Sequence, residues 1–199
     1  MMKIKLEFLP TIVFAAVMLS WFVFAGIFIF RRKPARSPDR KRDPRSIVGV
    51  ALQGVAYAIV WAIHRQPFTP IVAAPGWLGL LASALAIAAA VGSVLLIMAA
   101  VKTLGKHWSI TARMVEDHEL ATQGPYARVR HPIYTGMLGM LIATGLAMSN
   151  WIALVAAIIV FAIGTFIRVR SEERLLRETF GQRFEDYARR VPAVIPGVI

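Results

Sequence analysis

The chain has 199 residues, of which 57% are hydrophobic and only 17% charged, with a mean hydropathy of +0.61. A soluble domain is about 45–50% apolar even counting glycine, so a soluble enzyme with a large mixed sheet is excluded. The net charge of +12 and a pI near 11.1 would suggest nucleic acid in a soluble protein, but the placement of the charges argues otherwise, and zero Cys excludes disulfides, thiolate nucleophiles and cysteine-based metal sites.

In chain order, the first predicted element is Leu9 to Phe30, an uncharged run of 22 residues. At about 1.5 Å per residue it reaches across a hydrocarbon layer of roughly 30 Å. Lys3 and Lys5 precede it as in a signal peptide, but the run is too long for one and is stopped by Arg31, Arg32 and Lys33. It is expected to be a permanent helix. The basic run Arg31, Arg32, Lys33, Arg36, Arg40, Lys41, Arg42 and Arg45 reads as a solvated topology signal, with contact to anionic head groups the alternative.

Ile47 to Ile63 is a second, shorter uncharged run whose polar content is Gln53 and Tyr57, with Trp61 near one end. Trp77 to Val101 is the third, and its many small residues, such as Ala86, Ala90 and Ser93, predict a helix inside the bundle. After a polar stretch from Lys102 to His131, Pro132 opens a fourth run to Met148. Proline suits a first helical turn because its missing N–H would be unpaired there anyway. Trp151 to Ile167 follows after only Ser149 and Asn150, which predicts an antiparallel hairpin. From Arg168 the charges alternate in sign while Leu176, Phe180, Phe184, Tyr187 and Val191 recur at helical spacing. This predicts an amphipathic tail lying on the membrane surface or folded onto the bundle, broken at Gly181 and ended by Pro192 and Pro196.

The expected fold class is therefore an all-α integral membrane protein with five transmembrane helices, a single membrane domain over residues 1–199. Its first three helices occupy 1–101; the half at 102–199 contains the hairpin 132–167 and the tail 168–199. Basic residues in successive connections number two, eight, one, five, none and seven, so alternate connections hold twenty against three. By the positive-inside rule this places the amino terminus outside and the tail in the cytoplasm. It also explains the high pI without nucleic acid.

Two polar clusters flank the last hairpin on one side. GPYARVRHPIYTG, Gly124 to Gly136, leads into the fourth helix, and RVRSEER, Arg168 to Arg174, leaves the fifth. The short turn forces them side by side. Arg130 and His131 sit at a helix start, where free N–H groups and the helix dipole favour a carboxylate or phosphate. Glu172 and Glu173 could hold an ammonium or sulfonium, and Tyr126 and Tyr134 offer aromatic faces. The alternatives stand beside this: Arg130 and His131 as interfacial residues reaching head groups, and the glutamates as i,i+4 partners of Arg168 and Arg177 on a solvated helix. Because neighbouring helical residues diverge by about 100°, at most one glutamate is expected to face a small ligand. Scattered histidines (His64, His107, His118, His131) lack metal-ligand spacing, so no metal is expected.

GPYARVRHPIYTG, the hydrophobic hairpin, and RVRSEERLLRETFGQRFEDYARRVPAVIP together resemble the isoprenylcysteine carboxyl methyltransferase family and its wider group of membrane methyltransferases, which includes phospholipid methyltransferases. LGKHWSI, Leu104 to Ile110, is similar to a segment that precedes that family's RHPxY motif. The resemblance covers roughly the second half of the chain. It implies S-adenosylmethionine as methyl donor, held at the cytoplasmic face by Tyr126, His131, Pro132, Tyr134, Gly136 and Glu172 or Glu173. It implies Arg130 and Arg168 as the residues facing the acceptor. No Gly-x-Gly-x-x-Gly follows a strand pattern, in keeping with a cofactor site of another kind.

A carboxylate acceptor, such as that of a prenylcysteine, needs desolvation and orientation but no general base. A lipid amine or small thiol would need a proton acceptor, with His131, Glu172 and Glu173 the nearby candidates. A sterol-type reductase using NADPH shares an RHPxY and acidic-pair layout and is the alternative of another class. A transporter would call for ionisable residues at mid-membrane, which the five runs do not contain. The expected partners are membrane lipids and a lipophilic acceptor entering from the bilayer, with no nucleic acid. The expected location is the cell membrane, of the bacterial inner-membrane kind.

Overall fold

The computed structural model describes residues 8–29, 39–66, 69, 76–105, 113–115 and 119–195. The basic residues Arg31 to Arg36, the histidines His107 and His118, and most of LGKHWSI lie outside them. The elements are α1 (Phe8–Ile29), β1 (Asp39–Arg42), α2 (Arg45–Ala62), α3 (Gly76–Leu104), β2 (Arg113–Val115), a 3-10 turn at Gly124–Ala127, α4 (Pro132–Met148), α5 (Trp151–Phe180) and α6 (Gln182–Ala188). Among the described residues the regular structure is helical apart from β1 and β2, which pair antiparallel, with Lys41 opposite Met114. This ribbon departs from the expected all-α class.

Among the described residues four helices, α1, α2, α3 and α5, are long and apolar enough to cross a membrane; α4 is apolar but has only 17 residues, about 25 Å at helical rise. It is the centre of the bundle. On one side Met140, Ala143 and Ala147 pack with Val13 and Val17 of α1 and Ala86 and Ala90 of α3. On the other, Leu141 packs with Ala56 and Val60 of α2 and Leu154, Ala157 and Phe161 of α5. The expectation of a helix inside the bundle holds for one face of α3. Ala86, Ala90 and Ser93 are buried against the bundle, while Ala84, Ala88 and Gly92 are exposed together with Trp77, Leu80, Leu85, Leu95 and Met98. Small residues decide which face is approached; they do not require burial all round.

Glycines bring the helices close. A Cβ at Gly136 would stand 2.5 Å from Ile97 Cγ1, and one at Gly164 would stand 2.8 Å from the Gly49 carbonyl. Two polar groups inside the bundle find partners across helices: Trp21 Nε1 donates to Thr144 Oγ1 (3.0 Å) and Tyr57 OH to the Met137 carbonyl (2.7 Å).

The α4–α5 hairpin forms as expected. Asn150 caps α5 by accepting from Ala153 N at 2.9 Å. At this end Arg65 donates to the carbonyls of Leu146 (2.9 Å) and Ala147 (2.8 Å), a cation on the C-terminal end of the α4 dipole. At the other end α5 does not stop near Ile167. It continues as one helix to Phe180, and only Gly181, at φ +51°, ends it. The tail then turns back along α6, with Phe184 and Tyr187 buried.

Candidate functional site

The two clusters do meet. Pro132 occupies the first position of α4, which places His131 at its N-cap and Tyr134 one turn in. The continuous helix α5 carries Arg168, Glu172 and Glu173 past them. Arg130 Nε donates to Glu173 Oε1 at 2.9 Å. His131 lies between both carboxylates, Nδ1 3.3 Å from Glu172 Oε2 and Nε2 3.4 Å from Glu173 Oε1. Tyr134 OH donates to Glu172 Oε1. The Arg168 guanidinium stands over the Tyr134 ring at 4.7 Å, with Nη2 3.7 Å from Glu172.

Both i,i+4 pairs form, Arg168 with Glu172 at 3.7 Å and Arg177 with Glu173 at 3.2 Å, but the helix is packed against the start of α4 rather than solvated there. Glu173 is buried, and each glutamate reaches its own nitrogen of the His131 ring. Burial alone would lower the His131 pKa, but hydrogen bonds and charge from Glu172 and Glu173 outweigh it and raise it above the ordinary value of 6.5. A carboxylate at each nitrogen favours the protonated form of the ring. The carboxylates approach opposite ring edges and do not converge on one point; among the described residues no group of three or more His, Cys, Asp or Glu could hold a metal ion.

The start of α4 is not open to an anion. The tail folds over it: Arg130 N donates to the Pro192 carbonyl (2.8 Å), His131 N to that of Ala193 (2.9 Å) and Thr135 Oγ1 to that of Val194. Arg130 Nη1 donates to the carbonyls of Ala188 (2.8 Å) and Val191. The expectation of free N–H groups is therefore corrected at Arg130 and His131, and the Arg130 side chain is bound to Glu173 and the tail.

Among the other expected residues, Tyr126 is buried in the 3-10 turn, and its carbonyl accepts from Tyr187 OH at 2.6 Å. Burial, reinforced by Glu172 and Tyr187, raises its phenol pKa, while burial pushes that of Tyr187 up to about 12. Both remain neutral donors at ordinary pH. Gly136 faces Ile97 and Ser93 of α3 and serves helix packing.

Sequence reasoning passed over Gln53, Thr165 and the tail carbonyls. Gln53 Nε2 donates to Thr165 Oγ1 (2.8 Å), and its Oε1 accepts from Arg168 Nη1 (3.0 Å). A lone amide in an apolar run was the available signal, since a polar group there must find a partner.

The fold and site define a multi-pass α-helical membrane protein with an ion-paired polar centre at the open end of its last hairpin. The family model for phospholipid methyltransferase matches residues 81–183, just over half of the chain, and the chain belongs to that family. It is 35% identical over 101 residues to protein-S-isoprenylcysteine O-methyltransferase B of Arabidopsis thaliana, covering 50% of this chain and 51% of that one. It is 39% identical over 98 residues to the nickel-cobalt-cadmium resistance protein NccN of Alcaligenes xylosoxydans xylosoxydans, covering 47% and 44%. It is 32% identical over 87 residues to the protein-S-isoprenylcysteine O-methyltransferase of Schizosaccharomyces pombe, covering 44% and 37%. The chain thus spans about half or less of the length of these relatives. The family match includes the whole charged cluster but neither α1 nor α2.

Proposed function

We propose that the protein is an integral membrane methyltransferase that uses S-adenosylmethionine to methylate the carboxylate of a lipophilic, prenylcysteine-like acceptor at the cytoplasmic face of a cell membrane. The observation that carries this reading is the His131 centre, a buried imidazole with Glu172 at one nitrogen and Glu173 at the other, flanked by Tyr134 and Arg168. A histidine with both nitrogens engaged is no proton acceptor, and a carboxylate paired to donors is a weak one. An acceptor that is already ionised suits this centre better than an amine or thiol.

The carboxylates of Glu172 and Glu173 suit the cationic groups of a sulfonium donor. Glu172, which keeps 26% of its side chain accessible, and Tyr134 would hold the donor. Tyr126, Pro132, Gly136 and Glu173 would shape the wall behind them. When bound, the donor supplies a methyl carbon already activated by its sulfonium. The protein's own task is alignment and exclusion of water. Arg168, between Tyr134 and Glu172, would orient the acceptor carboxylate, while the apolar flanks of α4 and α5 admit its lipid chain from the bilayer. Arg130 would act as a positioning residue that ties Glu173 to the tail.

Supporting the orientation, β1 lies in the connection richest in basic residues, β2 lies in the next basic one, and the tail's Arg174 reaches Asp43 at 3.8 Å. All three basic segments therefore gather at the cluster end, with α4 counted as the fifth crossing. The test is mass spectrometry after incubation of purified protein with labelled S-adenosylmethionine and N-acetyl-S-farnesylcysteine. A base-labile methyl ester is expected. Methylation of lipid amines alone would overturn the acceptor class, and saturable NADPH binding without binding of the methyl donor would overturn the reaction.

A further inference from the structure

We infer that Gln53 of α2 is a positioning residue for Arg168, so that the acceptor side of the site is completed by a helix outside the family-matched segment. The inference rests on the reading that Arg168 meets the acceptor carboxylate.

The geometry begins with two glycines. A Cβ at Gly49 would stand 2.4 Å from Arg168 Cγ and 2.6 Å from the Gly164 carbonyl, and a Cβ at Gly164 would stand 2.9 Å from Leu52 Cβ and 3.1 Å from Gln53 N. With neither side chain present, α2 and α5 cross closely enough for the Arg168 stem to lie over Gly49. The guanidinium then arrives beside Gln53, one helical turn further along α2. Gln53, Thr165 and Arg168 are all buried. The amide is used at both ends, donating to Thr165 and accepting from Arg168 Nη1, so it has one orientation. Arg168 is thereby held from behind by α2, while its other face meets Tyr134 and Glu172. A flexible arginine stem becomes a fixed fork, and orientation of the fork is what carboxylate recognition needs.

A merely structural amide would affect stability and all ligands alike. A positioning amide affects the acceptor selectively. The experiment uses full-length protein in nanodiscs with N-acetyl-S-farnesylcysteine as acceptor, comparing Gln53→Leu, Gln53→Glu, Thr165→Val, Arg168→Lys and the double variant Gln53→Leu, Arg168→Lys. Readouts are acceptor KM, kcat, calorimetric Kd for S-adenosylmethionine, and the unfolding midpoint. Gln53→Leu is expected to raise acceptor KM about tenfold, the scale of one lost charge-assisted hydrogen bond, with the donor Kd unchanged within about twofold. Gln53→Glu, which still accepts from Arg168, restores most of the affinity. Thr165→Val, the milder change should Gln53→Leu fold poorly, raises acceptor KM by a smaller factor. The double variant is no worse than Arg168→Lys alone, because both act through one group.

Additive effects, equal shifts in acceptor KM and donor Kd, or no advantage of Gln53→Glu over Gln53→Leu would overturn the inference. Normal acceptor kinetics in Arg168→Lys would instead overturn the reading of the site on which it rests. Impaired Arg168→Lys beside unimpaired Gln53→Leu and Thr165→Val would overturn the positioning role alone.

Discussion

Glu172 and Glu173 are neighbours in sequence with different surroundings, and separating their effects is the strictest check on the proposed site. Glu173 Oε1 accepts from Arg130 Nε at 2.9 Å and faces His131 Nε2 at 3.4 Å, while Oε2 accepts from Arg177 at 3.2 Å. Arg177 is exposed to 45%, so its share is worth at most about 1 kcal/mol. Arg130 and His131 keep only 12% and 6% of their side chains accessible. Removing one member of such a buried set leaves uncompensated charge and costs about 3–5 kcal/mol. Against a usual total of about 5–15 kcal/mol, Glu173→Ala is expected to bring the protein close to unfolding.

Glu172→Ala deletes an acceptor of the Tyr134 hydroxyl and one flank of His131, yet His131 keeps Glu173 and Arg168 keeps Gln53. The expected cost is about 1–3 kcal/mol, that of an unmatched polar group. On the proposed reading, the pair divides into Glu173 for the scaffold and Glu172 for the ligand. Tryptophan fluorescence of purified protein during thermal unfolding in detergent gives the stability order, and methyl transfer by Glu172→Gln gives the activity. Glu172→Gln should fold and lose methyl transfer, while Glu173→Ala should lose stability first. Equal destabilisation by the two alanine variants, or full turnover in Glu172→Gln, would refute the division.

Because the His131 pKa is raised by its carboxylate partners, its stabilising contribution is complete below the unfolded value of about 6.5 and is lost as pH rises through the folded value. The unfolding midpoint of the native protein should fall across that window relative to His131→Gln, and parallel profiles would refute the pairing. Gly164→Ala drives a methyl group into the backbone of α2 and should cost about 1–3 kcal/mol, read from the same unfolding curves; an unchanged midpoint would mean the α2–α5 crossing is looser than described. Truncation after Arg190 removes the carbonyls that receive Arg130 N and His131 N. It should lower the midpoint by the equivalent of about 1–3 kcal/mol per buried group left unpaired, and wild-type stability would show that water replaces the tail.

The apolar helices were legible because crossing a membrane demands long apolar runs, and α1 to α4 begin and end within about three residues of the runs that predict them. The length of α5 was not legible from hydropathy. Beyond Ile167 the helix leaves the apolar run but keeps good helix formers such as Arg174, Leu175, Leu176 and Arg177, so a change of solvent was read as a change of element. The small residues of α3 pointed to close approach without fixing its face: Ala86, Ala90 and Ser93 are buried, whereas Ala84, Ala88 and Gly92 are exposed.

Connectivity alone brought Arg130 and His131 to Glu172 and Glu173, since a two-residue turn leaves no other arrangement. It could not say that both glutamates meet one ring. That outcome depends on the imidazole having nitrogens on two edges and on glutamate stems long enough to close the angle between adjacent helical positions. The role of Arg130 was hidden more deeply, because its partners at residues 188 and 191 are main-chain carbonyls, which every residue type supplies. Gln53 lies between these cases: its need for a partner was written in its apolar surroundings, but the partner is 115 residues away. Only the pairing of α2 with α5, permitted by the absence of side chains at Gly49 and Gly164, selects Arg168 for it.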